Sequence, residues 1–135
     1  ADAVIAALTK AGYKVHGAGV VPDKQGNPTR NVAVIMDMAS KAIDNVTGQQ
    51  LALGWTALYQ AYPDAAGLFV VLYYDRYSLI FSTTPADFAA ALKTGDEAAV
   101  KAFWNKVFGG LIVVDRTTGE QVKDTKGFIQ KNFAQ

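Results

Sequence analysis

The chain contains no cysteine. That absence removes disulfides, thiolate zinc sites, iron–sulfur clusters and cysteine nucleophiles. It is compatible with reducing and oxidising compartments alike. With His16 the only histidine, centres built from several imidazoles are excluded too. No apolar run reaches the roughly 18–20 residues of a membrane-spanning helix. Charge of one sign is also lacking. Thirteen basic residues face 12 acidic ones, for a formal net charge of +1, which argues against a nucleic-acid or anionic-membrane surface. Lys123, Lys126 and Lys131, the nearest approach to a basic cluster, are diluted by Asp124 and read as a solvated helix face.

Phosphate-binding and serine-hydrolase signatures are missing as well. The glycines form neither GxGxxG nor a P-loop, and Ser40, Ser78 and Ser82 have no GxSxG environment. The Asp115 turn (DRTTGE) lacks the alternating carboxylates of a calcium loop and reads as ordinary hairpin chemistry. No metal or cofactor is expected. The chain begins at Ala1 without methionine, as a processed or trimmed terminus would.

What is present is a strong architectural signal. At 135 residues, half of them hydrophobic, the expectation is one globular domain over 1–135 with a core of its own. The densest apolar stretch, Gly67 to Phe81 (GLFVVLYYDRYSLIF), reads as a hairpin turning at Asp75-Arg76. That turn pairs Tyr74 with Tyr77, Leu72 with Leu79 and Val70 with Phe81, and these six residues are assigned to the core. The other face carries Phe69, Val71, Tyr73 and Ile80 beside Ser78 and Ser82. Asp-Arg is a poor type I′ pair, because neither residue favours positive φ as Gly or Asn does.

Val4, Ile5 and Leu8 fall at helical spacing ahead of Gly12. Tyr13–Val21 and Asn31–Ala39 read as strands joined by a turn of Pro, Asp, Gly and Asn. In the second strand Val32, Val34, Met36 and Met38 share one side, and Ala33, Ile35, Asp37 and Ala39 the other. Thr47 and Gln50 have capping-box spacing ahead of a helix with Leu51, Trp55, Leu58 and Tyr62 on one stripe, stopped by Pro63. A further helix opens at Thr84-Pro85. A second capping box at Thr94–Glu97 predicts a break and a new helix with Val100, Phe103, Trp104, Val107 and Phe108. A third hairpin is expected from Leu111–Val114 and Glu120–Lys123, followed by a C-terminal helix with Phe128, Ile129 and Phe133. The expected fold is therefore α+β: a two-layer sandwich, with an antiparallel sheet built from hairpins alternating with helices (α-ββ-α-ββ-α-ββ-α).

Two functional expectations follow. The first is a non-catalytic interaction module that binds a protein partner or itself, forming a homo-oligomer, through a sheet face around Phe69, Val71, Tyr73 and Ile80 or through a strand edge. The second is a small-molecule-binding protein or small enzyme with an Asp/His/Tyr cleft. In one register of the first hairpin His16 sits opposite Asp37, and a carboxylate-oriented imidazole is a familiar base.

Overall fold

A computed structural model of the chain describes residues 1–133. It is an α+β protein with a five-stranded mixed sheet in the order β1-β2-β3-β4-β5. The strands are β1 (Val15–Pro22), β2 (Pro28–Asp37), β3 (Gly67–Tyr74), β4 (Tyr77–Thr83) and β5 (Ile112–Asp115). The helices are α1 (Asp2–Lys10), α2 (Asn45–Ala61), α3 (Pro85–Lys93), α4 (Glu97–Gly109) and α5 (Thr125–Asn132).

The sheet is not wholly antiparallel. β1–β2, β3–β4 and β4–β5 are antiparallel ladders, but β2 and β3 run parallel, from Asn31 opposite Gly67 to Asp37 opposite Tyr73. The reason lies in the connection. α2 carries the chain back along the sheet between these strands, and a helical crossover to a neighbouring strand restores the direction. The break between α3 and α4 falls where the second capping box predicts it, so two helices stand where the α-ββ-α-ββ-α-ββ-α order has one, and the third hairpin has only one full strand. Its return leg is reduced to a bridge between Val114 and Gln121.

The hairpin over β3 and β4 has the register that the sequence predicts, with Tyr74 opposite Tyr77, Leu72 opposite Leu79 and Val70 opposite Phe81. Its two-residue turn puts Asp75 at φ 52° and is held from outside. The Arg116 guanidinium donates to the carbonyls of Asp75 and Tyr77, and the Arg116 N–H donates to Arg76 O at 2.8 Å. Arg76 returns the contact with an ion pair to Asp115 at 2.9 Å. Each Asp-Arg dipeptide therefore clasps the other's turn.

On the inner face Val34, Met36, Val70, Leu72, Leu79, Phe81 and Val113 have no solvent exposure. They pack under Val4 and Leu8 of α1, Leu51, Trp55 and Leu58 of α2, Val107 of α4, and Phe128 of α5. Trp55 anchors a ring cluster with Phe88, Phe103 and Trp104, at centroid distances of 5.8, 5.7 and 5.8 Å. Each such buried side chain contributes about 1.5–3 kcal/mol of transfer free energy.

Helix α2 starts three residues earlier than the capping box predicts. Asp44 is its N-cap: the carboxylate accepts from Val46 N at 3.0 Å and Thr47 N at 3.1 Å, and from the Ser40 hydroxyl at 2.9 Å. A charged acceptor serves several orphan N–H groups where a threonine hydroxyl serves one. Gln50 is wholly buried instead of capping, and ties the helix to the end of β2 through Ala39 N and Asp37 O. Likewise α4 is capped by Asp96, which accepts from Ala98 N, rather than by Thr94.

Candidate functional site

The side chains that alternate with the core form the outer face of the same sheet. The strand pairing arranges them in rows. One row runs Asp37, Tyr73, Ser78, Val114; the next Gly17, Ile35, Val71, Ile80, Ile112; the third Gly19, Ala33, Phe69, Ser82. Ile35, Phe69, Val71, Tyr73, Ile80 and Val114 are half-buried, and none of them belongs to the hydrophobic core or packs against it. The helices described above bury the opposite face. The outer face is an open, largely apolar surface with a polar margin.

The relief of this face is uneven. Along β3, Phe69, Val71 and Tyr73 make a ridge of large side chains. Across β2 from it lies a trough of small ones, Gly17 and Gly19 on β1 with Ala33 on β2, and Ile35 stands between Gly17 and Val71. A Cβ added at Gly17 or Gly19 would meet nothing within 4 Å, so the trough is open space above the backbone.

At the polar margin, the β1–β2 register shifts between Val15 and Gly17: Val15 lies opposite Met36 and Gly17 opposite Ile35. His16 is the extra residue of this bulge. Strict alternation from Gly17 would aim His16 at the core; the bulge turns it outward. Its Nε2 lies 2.5 Å from Asp37 Oδ1, with side-chain exposures of 34% and 44%. Its ring stands 4.9 Å from the Tyr73 ring, and the Arg116 guanidinium lies 3.8 Å from the centre of that same ring. His16, Asp37, Tyr73 and Arg116 thus form one cluster at the end of the face. Arg116 is the member that sequence reasoning missed, because its partners are some forty residues away.

No family, curated protein or solved structure matches this chain. The site is therefore read from its geometry.

Electrostatics at this end concern turn integrity more than ligand chemistry. Asp115 is buried and accepts from the Thr117 hydroxyl at 2.6 Å and the Thr117 N–H at 2.9 Å. These bonds, with the charge of Arg76, hold its carboxyl below the usual carboxylate range, while Asp115 raises Arg76 in return. Among the described residues no group of three or more His, Asp or Glu side chains is placed to hold a metal ion, and no helix is long and apolar enough to cross a membrane.

A separate cleft of about 900 Å³ lies between α3, α4 and the ends of β3 and β4. Phe69 and Ser82 belong both to the outer face and to the wall of this cleft.

Proposed function

We propose that the chain is a protein-interaction module, a two-layer α+β unit whose open sheet face binds a second copy of itself. The observation that carries this reading is the ridge of Phe69, Val71 and Tyr73 with the trough of Gly17, Gly19 and Ala33 across β2 from it. A two-fold axis near Ala33 and Ile35 places the ridge of each copy in the trough of the other. This is the self-complementarity an isologous interface requires. Stacked sheets interdigitate side chains across about 10 Å, which suits a ridge against a glycine floor.

The surface area supports the same reading. The chain exposes 8005 Å², where a folded monomer of 14.4 kDa is expected to expose about 6,800 Å². The excess, roughly 1,200 Å², exceeds the ~800 Å² per partner of a standard interface. Charge does not oppose it, since Asp37 is paired with His16 and Arg116 lies over the Tyr73 ring at the same margin.

Size-exclusion chromatography with light scattering tests the proposal. A mass of twice 14.4 kDa is expected at tens of micromolar, and a strict monomer from micromolar to millimolar concentration sinks it. Val71→Glu, on the open face, should yield a folded monomer. Gly17→Val is the sharper variant. It adds apolar surface, so indiscriminate stickiness predicts stronger association, whereas filling the trough predicts a dimer weakened about tenfold or more. In a chain without cysteine, Ile35→Cys supplies a single thiol beside the axis. It should crosslink to its copy with a short bismaleimide, and Leu53→Cys on the exposed side of α2 should not.

The His16–Asp37 contact favours a second reading, a small-molecule or proton-transfer site at the margin of the face. With Nε2 donating to the carboxylate, Nδ1 is left to accept a proton from a ligand. In this reading His16→Ala abolishes binding of a carboxylic-acid or phenol probe while leaving the dimer intact; binding unchanged in His16→Ala removes it.

A further inference from the structure

The cleft between α3 and α4 shares Phe69 and Ser82 with the outer face, but most of its wall comes from the helices and its chemistry is its own. Its volume of about 900 Å³ falls within the range of small-molecule sites. The walls are largely apolar, with Ala91 from α3, Ala102, Phe103 and Val107 from α4, Ala66 just ahead of β3 and Phe69 within it. Asn31, Thr83, Thr84 and Thr94 add uncharged polar groups. Charge is confined to one place. Lys106 Nζ and Asp87 Oδ2 meet at 2.8 Å, with side-chain exposures of 76% and 40%. An ammonium has three N–H donors, and the contact with Asp87 uses one of them.

The two charges are not equivalent. Asp87 sits in the first turn of α3, where its N–H donates to the Thr84 hydroxyl and the helix dipole favours a carboxylate. Part of its charge is already balanced there. Lys106 stands in the last turn of α4 and projects into solvent beside the cleft. The Ser82 hydroxyl lines the same cleft, and among the described residues it has no protein hydrogen-bond partner. A cation beside a largely apolar cleft that also carries a free hydroxyl suits an amphiphile with a small anionic head.

We propose that this cleft binds an aliphatic monocarboxylate, with the chain among Ala91, Ala102, Phe103 and Val107 and the carboxylate on Lys106. One cation already shared with Asp87 suits a single negative charge. Binding should be visible in the intrinsic fluorescence, because Trp55 and Trp104 meet Phe103 of the cleft wall edge-to-face, at centroid distances of 5.7 and 5.4 Å.

Dodecanoate below its micelle concentration is the probe, titrated against the full chain by calorimetry and tryptophan emission. Saturable binding of one dodecanoate per chain is expected. Ala102→Phe and Ala90→Phe, both at exposed helix positions lining the cleft, should each abolish it while circular dichroism stays unchanged. Lys106→Met should weaken it about two- to fivefold. Asp87→Asn, by releasing Lys106, should tighten it about two- to fivefold, the worth of one exposed ion pair. Val71→Glu should leave it unaltered, which separates this site from the sheet face. Absence of saturable binding, or binding that survives both phenylalanine variants, overturns the proposal. Equal affinity for dodecanol and dodecanoate, with no response to Lys106→Met, overturns the assignment of a carboxylate head.

Discussion

The two faces of the sheet are made by the same strands from neighbouring residues, and along β3 they are almost equally hydrophobic. Val70 and Leu72 are wholly buried, whereas Phe69, Val71 and Tyr73 beside them are half-open. Composition does not separate them. What does is the direction of the connections: α1, α2, α4 and α5 all deliver their apolar stripes to the side of Val34, Val70 and Leu79. Hydrophobicity marks a residue as fit for burial, and topology decides whether anything in the same chain arrives to bury it.

Truncation should expose this difference most strongly. Leu72→Ala, beneath the helices, is expected to cost about 2–5 kcal/mol in urea unfolding, and Val71→Ala less than about 1 kcal/mol for the monomer. Equal losses would mean that the outer face is covered in solution. Addition of a methyl group gives the next largest contrast. At Gly54 a Cβ would lie 2.8 Å from Val70 Cγ2 and 3.3 Å from Met36 Cε, because α2 rests its backbone on the inner face. The clash outweighs the gain in helix propensity, so Gly54→Ala should cost about 1–2 kcal/mol. At Gly17, where the space is open, alanine should be neutral or stabilise the monomer by about 0.5 kcal/mol. Thermal unfolding of the two variants should shift in opposite directions, or only at Gly54.

The smallest effect concerns pH. Thr47 N–H and the Ser40 hydroxyl lower the Asp44 carboxyl, and Thr117 and Arg76 lower that of Asp115. A carboxyl depressed in the folded state contributes stability that is fully present above its unfolded value, near 4, and lost as pH falls through the folded value. Unfolding free energy should therefore hold steady from pH 8 to 6 and decline below about pH 4. Asp115→Asn should flatten part of that decline. An unchanged acid limb would remove the role assigned to the clasp between the turns.

Legibility in the sequence follows the range of the interactions. The β3–β4 register was readable because its alternation and its turn are local, and the two faces of that hairpin divide as Tyr74, Leu72 and Val70 against Tyr73, Val71 and Phe69. The α2 stripe of Leu51, Trp55 and Leu58 was readable for the same reason. The parallel pairing of β2 with β3 was not, since residues 38–66 separate the strands and spacing alone does not say how a helix returns the chain. The bulge at His16 leaves no mark in the sequence of β1, yet it decides which face the imidazole joins. Arg116 shows the limit most plainly. It rescues an unfavourable Asp-Arg turn from a distant strand, so the turn looks poor in isolation and is sound in context. At the candidate site, Phe69, Val71, Tyr73 and Ile80 were legible as one surface; Gly17 and Gly19 read as places of close approach, but within the chain a Cβ at either would meet nothing within 4 Å, so their open trough was not legible.

The parallel seam between β2 and β3 also bears on the order of events in time. Each antiparallel hairpin closes over a short loop, whereas the seam joins segments far apart in sequence and must wait for α2 to fold between them. Ridge and trough lie on opposite sides of that seam, Val71 on β3 and Gly17 beyond β2. Refolding should therefore begin with a phase whose rate is independent of chain concentration, with any concentration-dependent phase following it. The ridge-and-trough face proposed for self-association is absent from either half of the chain alone, so on that proposal association belongs to finished monomers and half-folded chains lack the surface for it.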